Sequence, residues 1–113
     1  MNLKRKDEGD VTVLALSGRL MGGPDANSFQ NAVKGLIEEK RTKVLVNLAG
    51  VSWINSTGLG ILISAFTSVK NAGGQLKLVG VTERIQSILM ITKLSTVFET
   101  FEDEATAIGS YGS

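Results

Sequence analysis

Ile54-Asn55-Ser56-Thr57-Gly58-Leu59-Gly60 is the stretch where an apolar, strand-like run stops and an amphipathic helix begins. Two hydroxyls fall at the helix N-terminus, and two glycines fall where the first turn would otherwise carry side chains. A helix N-terminus carries partial positive charge and N–H groups without helical partners. Such a place can hold a phosphate or receive one.

Downstream, Leu59, Leu62, Ile63, Phe66 and Val69 recur at helical spacing, predicting an amphipathic helix that ends at Asn71-Ala72-Gly73-Gly74. Upstream, residues 43–48 hold Val44, Leu45, Val46 and Leu48, the near-continuous apolar run of a central strand buried on both faces. Ala49-Gly50 is read as a turn. Residues 11–18 alternate, with Val11, Val13 and Ala15 on one side and Thr12, Leu14 and Leu16 on the other, which predicts a strand covered on both faces. A polar turn at residues 7–10 precedes it, and residues 3–6 form an edge strand of a hairpin, its charges blunting the edge.

Gly22-Gly23-Pro24 breaks the chain before a helix whose face is Ala26, Phe29, Val33, Leu36 and Ile37. Asp25 suits the positive end of that helix, which ends near Glu39 in the solvated cluster Glu38-Glu39-Lys40-Arg41. Residues 75–79 make another strand, and Thr82 caps a third helix carrying Ile85, Ile88 and Leu89. A last strand is expected at residues 97–101 and a small helix at residues 102–108. The final Gly109-Ser110-Tyr111-Gly112-Ser113 is expected to fray, and the acidic Glu99, Glu102, Asp103 and Glu104 to form a solvated face. Strands alternating with helices imply an α/β sheet whose parallel strands are joined by helical crossovers.

With 113 residues the chain is long enough for one core, and a single domain over residues 1–113 is expected. Its 42% hydrophobic and 20% charged content is that of a globular domain, and its longest apolar run falls far short of the roughly 20 residues a membrane span needs. No membrane span and no signal peptide are expected, since no apolar stretch follows the basic residues of the N-terminus. There is no cysteine, which favours an intracellular location and removes a thiol nucleophile. There is no histidine either, so Ser-His-Asp catalysis and His-containing zinc sites are excluded. A net charge of +1 gives no field that argues for direct nucleic-acid binding.

The glycines do not make a nucleotide site. No GxxxxGK[ST] spacing exists, and Gly58-Leu59-Gly60 is followed by Ile63 where a dinucleotide fingerprint needs its third glycine. Ser56 has a structural reading as an N-cap. Gly58 and Gly60 each cost the helix roughly 1 kcal/mol relative to Ala, so each requires a reason. Two stand open: a docking surface with a hydroxyl at its centre, or a tight contact inside the domain. Phosphorylation of Ser56 would be tolerated at a helix N-terminus, but a partner fitted against the glycines would meet new bulk and charge. Trp53, the sole tryptophan, is expected to pack in the core, although it also lies close enough in sequence to flank that surface.

Val51-Ser52-Trp53-Ile54-Asn55-Ser56-Thr57-Gly58-Leu59-Gly60 resembles the signature of STAS domains, specifically bacterial anti-sigma factor antagonists. The resemblance extends through Leu16-Ser17-Gly18-Arg19-Leu20, Val44-Leu45-Val46-Asn47-Leu48, the turn and strand at residues 73–79, and Ile91-Thr92-Lys93-Leu94 before Val97-Phe98. It implies a mixed, mostly parallel sheet of four to five strands packed with about four helices. It implies a non-enzymatic cytoplasmic regulator, without cofactor or metal, that binds an anti-sigma factor kinase of the histidine-kinase-like ATPase fold and frees the sigma factor. Phosphorylation breaks such complexes, and a PP2C-type phosphatase restores them.

Ser56 matches the family's phosphoacceptor. Thr57 matches the neighbouring small hydroxyl residue, and Gly58-Leu59-Gly60 the helix start. The implied partner-binding surface comprises Leu20, Met21, Gly22, Asn55, Thr57, Gly58, Leu59, Gly60 and Ile63. Asn55 and Met21 stand where the family usually carries Asp, and Asn keeps an oxygen acceptor while losing the charge. An accessory subunit of a transporter ATPase or stress-sensing complex, without phosphorylation, is the second reading.

Overall fold

Alternation along the chain sets up a sheet with two apolar faces, and a computed structural model shows how both are covered. It describes residues 1–111; Gly112 and Ser113, the end of the segment expected to fray, and the side chain of Asp25 lie outside the described residues. Strand β1 (Asn2–Glu8) pairs antiparallel with β2 (Val11–Leu20) in a hairpin. The remaining strands β3 (Lys43–Ile54), β4 (Gln75–Val79) and β5 (Thr100–Phe101) follow in parallel, giving the spatial order β1-β2-β3-β4-β5. Helices α1 (Pro24–Glu38), α2 (Ser56–Asn71) and α3 (Glu83–Ile91) make the crossovers, with a one-turn 3-10 helix at Leu94–Thr96 and α4 (Glu104–Gly109) after β5. Among the described residues, five strands, mostly parallel, and four α-helices match the expected mixed architecture.

The alternation of β2 works as read. Leu14 and Leu16 join Phe29, Val33, Val44, Val46, Leu62 and Ile85 in the larger cluster beneath α1, α2 and α3. Val11 and Val13 face the other way, joining Leu45, Val79, Ala107 and Tyr111 beneath α4. Burying each of the larger side chains contributes roughly 1.5–3 kcal/mol. No helix among the described residues is long and apolar enough to cross a membrane.

Three expectations are corrected. The chain does not turn at Ala49-Gly50; β3 runs straight through to Ile54, and the irregularity is absorbed as a register shift against β2. A Cβ on Gly50 would lie 2.9 Å from Ser17 Cβ and 3.1 Å from the Leu16 carbonyl oxygen, so the glycine serves close strand approach. The last strand is shorter than residues 97–101. Lys93 adopts a left-handed conformation at φ 64°, the 3-10 turn follows, and Phe98 turns inward against Phe66 with ring centroids 5.2 Å apart.

The C-terminal segment is anchored through Tyr111, which is buried and donates its hydroxyl proton to the Val44 carbonyl. Burial pushes that phenol's pKa up. The charged clusters are largely solvated, as expected, and some of their members also tie the fold together. Arg41 donates to Thr12 Oγ1 at 2.7 Å and to the Gly9 carbonyl at 2.9 Å, while Arg5 grips Glu39 and Asp7. Asp103 caps α4, and Glu104 accepts from Lys6 at 2.9 Å and from Asn47 at 2.7 Å.

These contacts set the response to acid. The Lys6 bond, then the Asn47 amide, holds Glu104 below its ordinary range; the Arg5 hydrogen bonds do so for Asp7 and Glu39, and Lys43 for Asp10. A carboxylate with a depressed folded pKa contributes stability that is present above its unfolded pKa and lost as pH falls through the folded one. The melting temperature is therefore expected to fall modestly from about pH 5 to about pH 2, since these pairs are largely solvent-screened, and to stay nearly flat from about pH 6 to about pH 8. The chain has no histidine or cysteine to titrate in the upper window. Calorimetric scans across both windows check this.

Candidate functional site

β3 delivers the chain to the carboxyl edge of the parallel strands, where Asn55 is still extended and α2 starts at Ser56. The cap is Asn55, not Ser56. Its Oδ1 accepts from the Gly58 N–H at 2.8 Å, and its carbonyl accepts the first helical bond from Leu59 N at 2.9 Å. Its Nδ2 donates to the Met21 carbonyl at 3.4 Å, tying the loop after β2 to the start of α2. An Asp could make the first of these side-chain bonds but has no donor for the last. Asn55 therefore joins two segments that an acidic residue would only cap.

Replacing Asn55 with Ala removes both bonds and is expected to cost about 1 kcal/mol, a fall of roughly 4 °C in melting temperature. Asn55→Asp keeps the cap and is expected to lose less. Thermal denaturation of the pair measures the difference.

With Asn55 capping, the Ser56 hydroxyl has no structural task. It is exposed at the first helical position and makes no hydrogen bond among the described residues. No acidic residue occupies the first turn of α2, so added negative charge there would meet the helix dipole without a competing carboxylate. Thr57 is also exposed, but its methyl is committed: a Cβ on Gly22, at φ +105°, would lie 2.7 Å from Thr57 Cγ2.

The two helix glycines separate into the two roles left open by their spacing. A Cβ on Gly58 would sit 2.0 Å from the Leu20 carbonyl oxygen, so this glycine permits the end of β2 to press on α2. A Cβ on Gly60 would meet nothing within 4 Å. Gly60 thus leaves open surface beside Ser56.

The other residues of the expected surface divide in the same way. Met21 and Ile63 are exposed, at 39% and 36%. Leu20 and Leu59 are buried, and Leu20 is wholly enclosed; they hold the site from beneath and do not present their side chains. Ile63 departs from the apolar stripe expected of α2, whose buried face takes Ile61 and Ala65 in its place. Trp53 is not a core residue. It is 39% exposed, with the Arg84 guanidinium 4.8 Å from the centre of its ring. Arg84 comes from α3, a neighbour that no local spacing announces.

A family model for the STAS domain matches residues 2–107. The anti-sigma-B factor antagonist of Bacillus subtilis is 35% identical over 63 residues, covering 56% of this chain and 58% of that protein. The match thus spans little more than half the length of this curated relative. Among solved structures, an anti-sigma factor antagonist from Mycobacterium paratuberculosis superposes with a TM-score of 0.84 at 18% identity, covering 99% of this chain and 94% of that one. The Bacillus cell fate determinant SpoIIAA in its phosphorylated form gives 0.77 at 15% identity, covering 96% and 98%. At such identities the structural likeness concerns the fold.

Proposed function

The chain belongs to the STAS domain family, and from that membership we propose that it is an anti-sigma factor antagonist switched off by phosphorylation of Ser56. It acts by binding and not by turnover. In the cytoplasm its unphosphorylated form docks on an anti-sigma factor kinase of the histidine-kinase-like ATPase fold and frees the sigma factor. A PP2C-type phosphatase resets it. The docking surface is Met21, Gly22, Asn55, Ser56, Thr57, Gly60 and Ile63, with Leu20, Gly58 and Leu59 supporting it from within.

The observation that carries this reading is the idle hydroxyl of Ser56: exposed, unbonded among the described residues, and seated on an intact helix N-terminus whose cap is supplied by another residue. A phosphate of charge roughly −1.5 to −2 would leave the fold in place and change only the docking face. Incubation with the candidate kinase and ATP, followed by mass-spectrometric mapping, is expected to place the phosphate on Ser56. Modification solely at other positions would sink the proposal.

Asn55 favours a second reading, a STAS accessory subunit that stays bound to a larger assembly without phosphorylation. Its amide is engaged in tying Met21 to α2 and offers no carboxylate to a kinase. The readings part on Ser56→Asp, which keeps its partner in the accessory subunit and loses it in the switch.

A further inference from the structure

Trp53 and its surroundings lie outside the surface derived above. In the register of β2 against β3, Arg19 stands beside Trp53, and Leu20 beside Ile54. Leu20 and Ile54 both point into the core, so Arg19 and Trp53 share the opposite, outward face, and both are exposed. Arg84 lies over the indole at 4.8 Å. The result is an exposed aromatic ring with Arg84 over it and Arg19 at the neighbouring register position, three residues before Ser56 in the chain.

These arginines differ from the other two arginines of the molecule, which are ion-paired; among the described residues Lys4, Lys34, Lys40, Lys70 and Lys93 share their lack of a carboxylate partner. Arg5, Arg41, Lys6, Lys43 and Lys77 each have a carboxylate within 4 Å. Among the described residues Arg19 and Arg84 have none, although Glu83 is adjacent to Arg84 in the chain and also exposed. A guanidinium presents five donors in a planar fork that fits a carboxylate with two parallel bonds. One resting 4.8 Å from the centre of an indole ring, as Arg84 does, has lost part of its freedom before a partner arrives. Trp and Arg are also the residue types that most often carry binding energy at protein interfaces.

We infer that Arg19, Trp53 and Arg84 extend the docking surface and receive carboxylate side chains of the partner protein, with Trp53 covered in the complex. The inference rests on the proposed function, since it takes the anti-sigma factor kinase as the partner. Nucleic acid is the less suitable occupant: two arginines neutralise few phosphates, and the chain's net charge is only +1.

The test uses the full chain and the kinase that binds it, with 5-fluorotryptophan incorporated in this chain alone so that Trp53 is the only fluorine signal. The expected result is a shift of that signal on complex formation. The Arg19→Gln/Arg84→Gln double variant is expected to bind about ten-fold more weakly by calorimetry at low salt, with a flattened salt dependence. Lys4→Gln/Lys34→Gln, an equal loss of two charges at exposed positions of β1 and α1, is expected to stay within about two-fold. Thermal melts of both variants establish that they are folded.

An unshifted fluorine signal in a formed complex, or a double variant that binds as wild type, overturns the inference while leaving the proposed function standing. Binding of a 20-nucleotide duplex or single strand in preference to the kinase, lost in the double variant, overturns it in favour of nucleic acid. If the wild type binds no such kinase, the functional reading and this inference fall together.

Discussion

Gly58→Ala is expected to lower the melting temperature by about 10 °C or more, a loss of about 3 kcal/mol, whereas Gly60→Ala is expected to raise it by a few degrees. The added methyl at position 58 would sit 2.0 Å from the Leu20 carbonyl oxygen, 2.8 Å from its carbonyl carbon and 3.0 Å from Ile54 Cγ1. Leu20 and Ile54 are register partners across β2 and β3, and both are buried, so the obstructing atoms belong to the sheet and not to a flexible tip. Relief requires α2 to move away from β2, which also breaks the bond from Asn55 to Met21. At position 60 the methyl enters open space, and the helix gains the roughly 1 kcal/mol by which Ala exceeds Gly. Differential scanning calorimetry of the two variants decides it. Equal melting temperatures would contradict the close approach of β2 to α2.

Ser56→Asp is expected to weaken binding to the anti-sigma factor kinase by at least about 100-fold, equivalent to about 2.7 kcal/mol. Ser56→Ala is expected to bind within a few-fold of wild type, and both variants to melt within about 2 °C of it. The pattern follows from the position. An exposed hydroxyl without a hydrogen bond among the described residues costs the fold nothing when removed, and a carboxylate at the first position of α2 is favoured by the dipole. The loss lies at the interface, where a charge is taken out of water without a counter-charge. Calorimetric titration alongside thermal melts separates the two effects.

The strength of the sequence signal follows the range of the interactions behind it. The paired faces of β2, the continuous apolar run at the start of β3, and the Thr82 cap of α3 depend on neighbours a few residues away, and each is found where it was expected. Ala49-Gly50 carries the residues of a turn, yet its glycine answers to Ser17 and Leu16 on a different strand. Tyr111 sits in a polar, glycine-flanked tail that reads as frayed, and its anchor is the Val44 carbonyl on β3. Local composition contains neither contact.

At the candidate site the same division holds. The helix start and its hydroxyls are legible because capping is local. The choice between Asn55 and Ser56 as cap turns on one dihedral setting, and the separate duties of Gly58 and Gly60 depend on where β2 ends. Trp53 reads as a core residue by size alone; the alternation of β3 that turns Ile54 inward turns it outward, where Arg84 meets it from α3.

The central claim is that one phosphate on Ser56 changes the docking face and not the fold. The direct measurement is the dissociation constant of the kinase complex, by isothermal titration calorimetry, with wild-type protein before and after stoichiometric phosphorylation at Ser56. Both forms should have matching melting temperatures, and the phosphorylated form should bind at least about 100-fold more weakly. Equal affinity of the two forms would contradict the switch, and weaker binding accompanied by unfolding would contradict its mechanism.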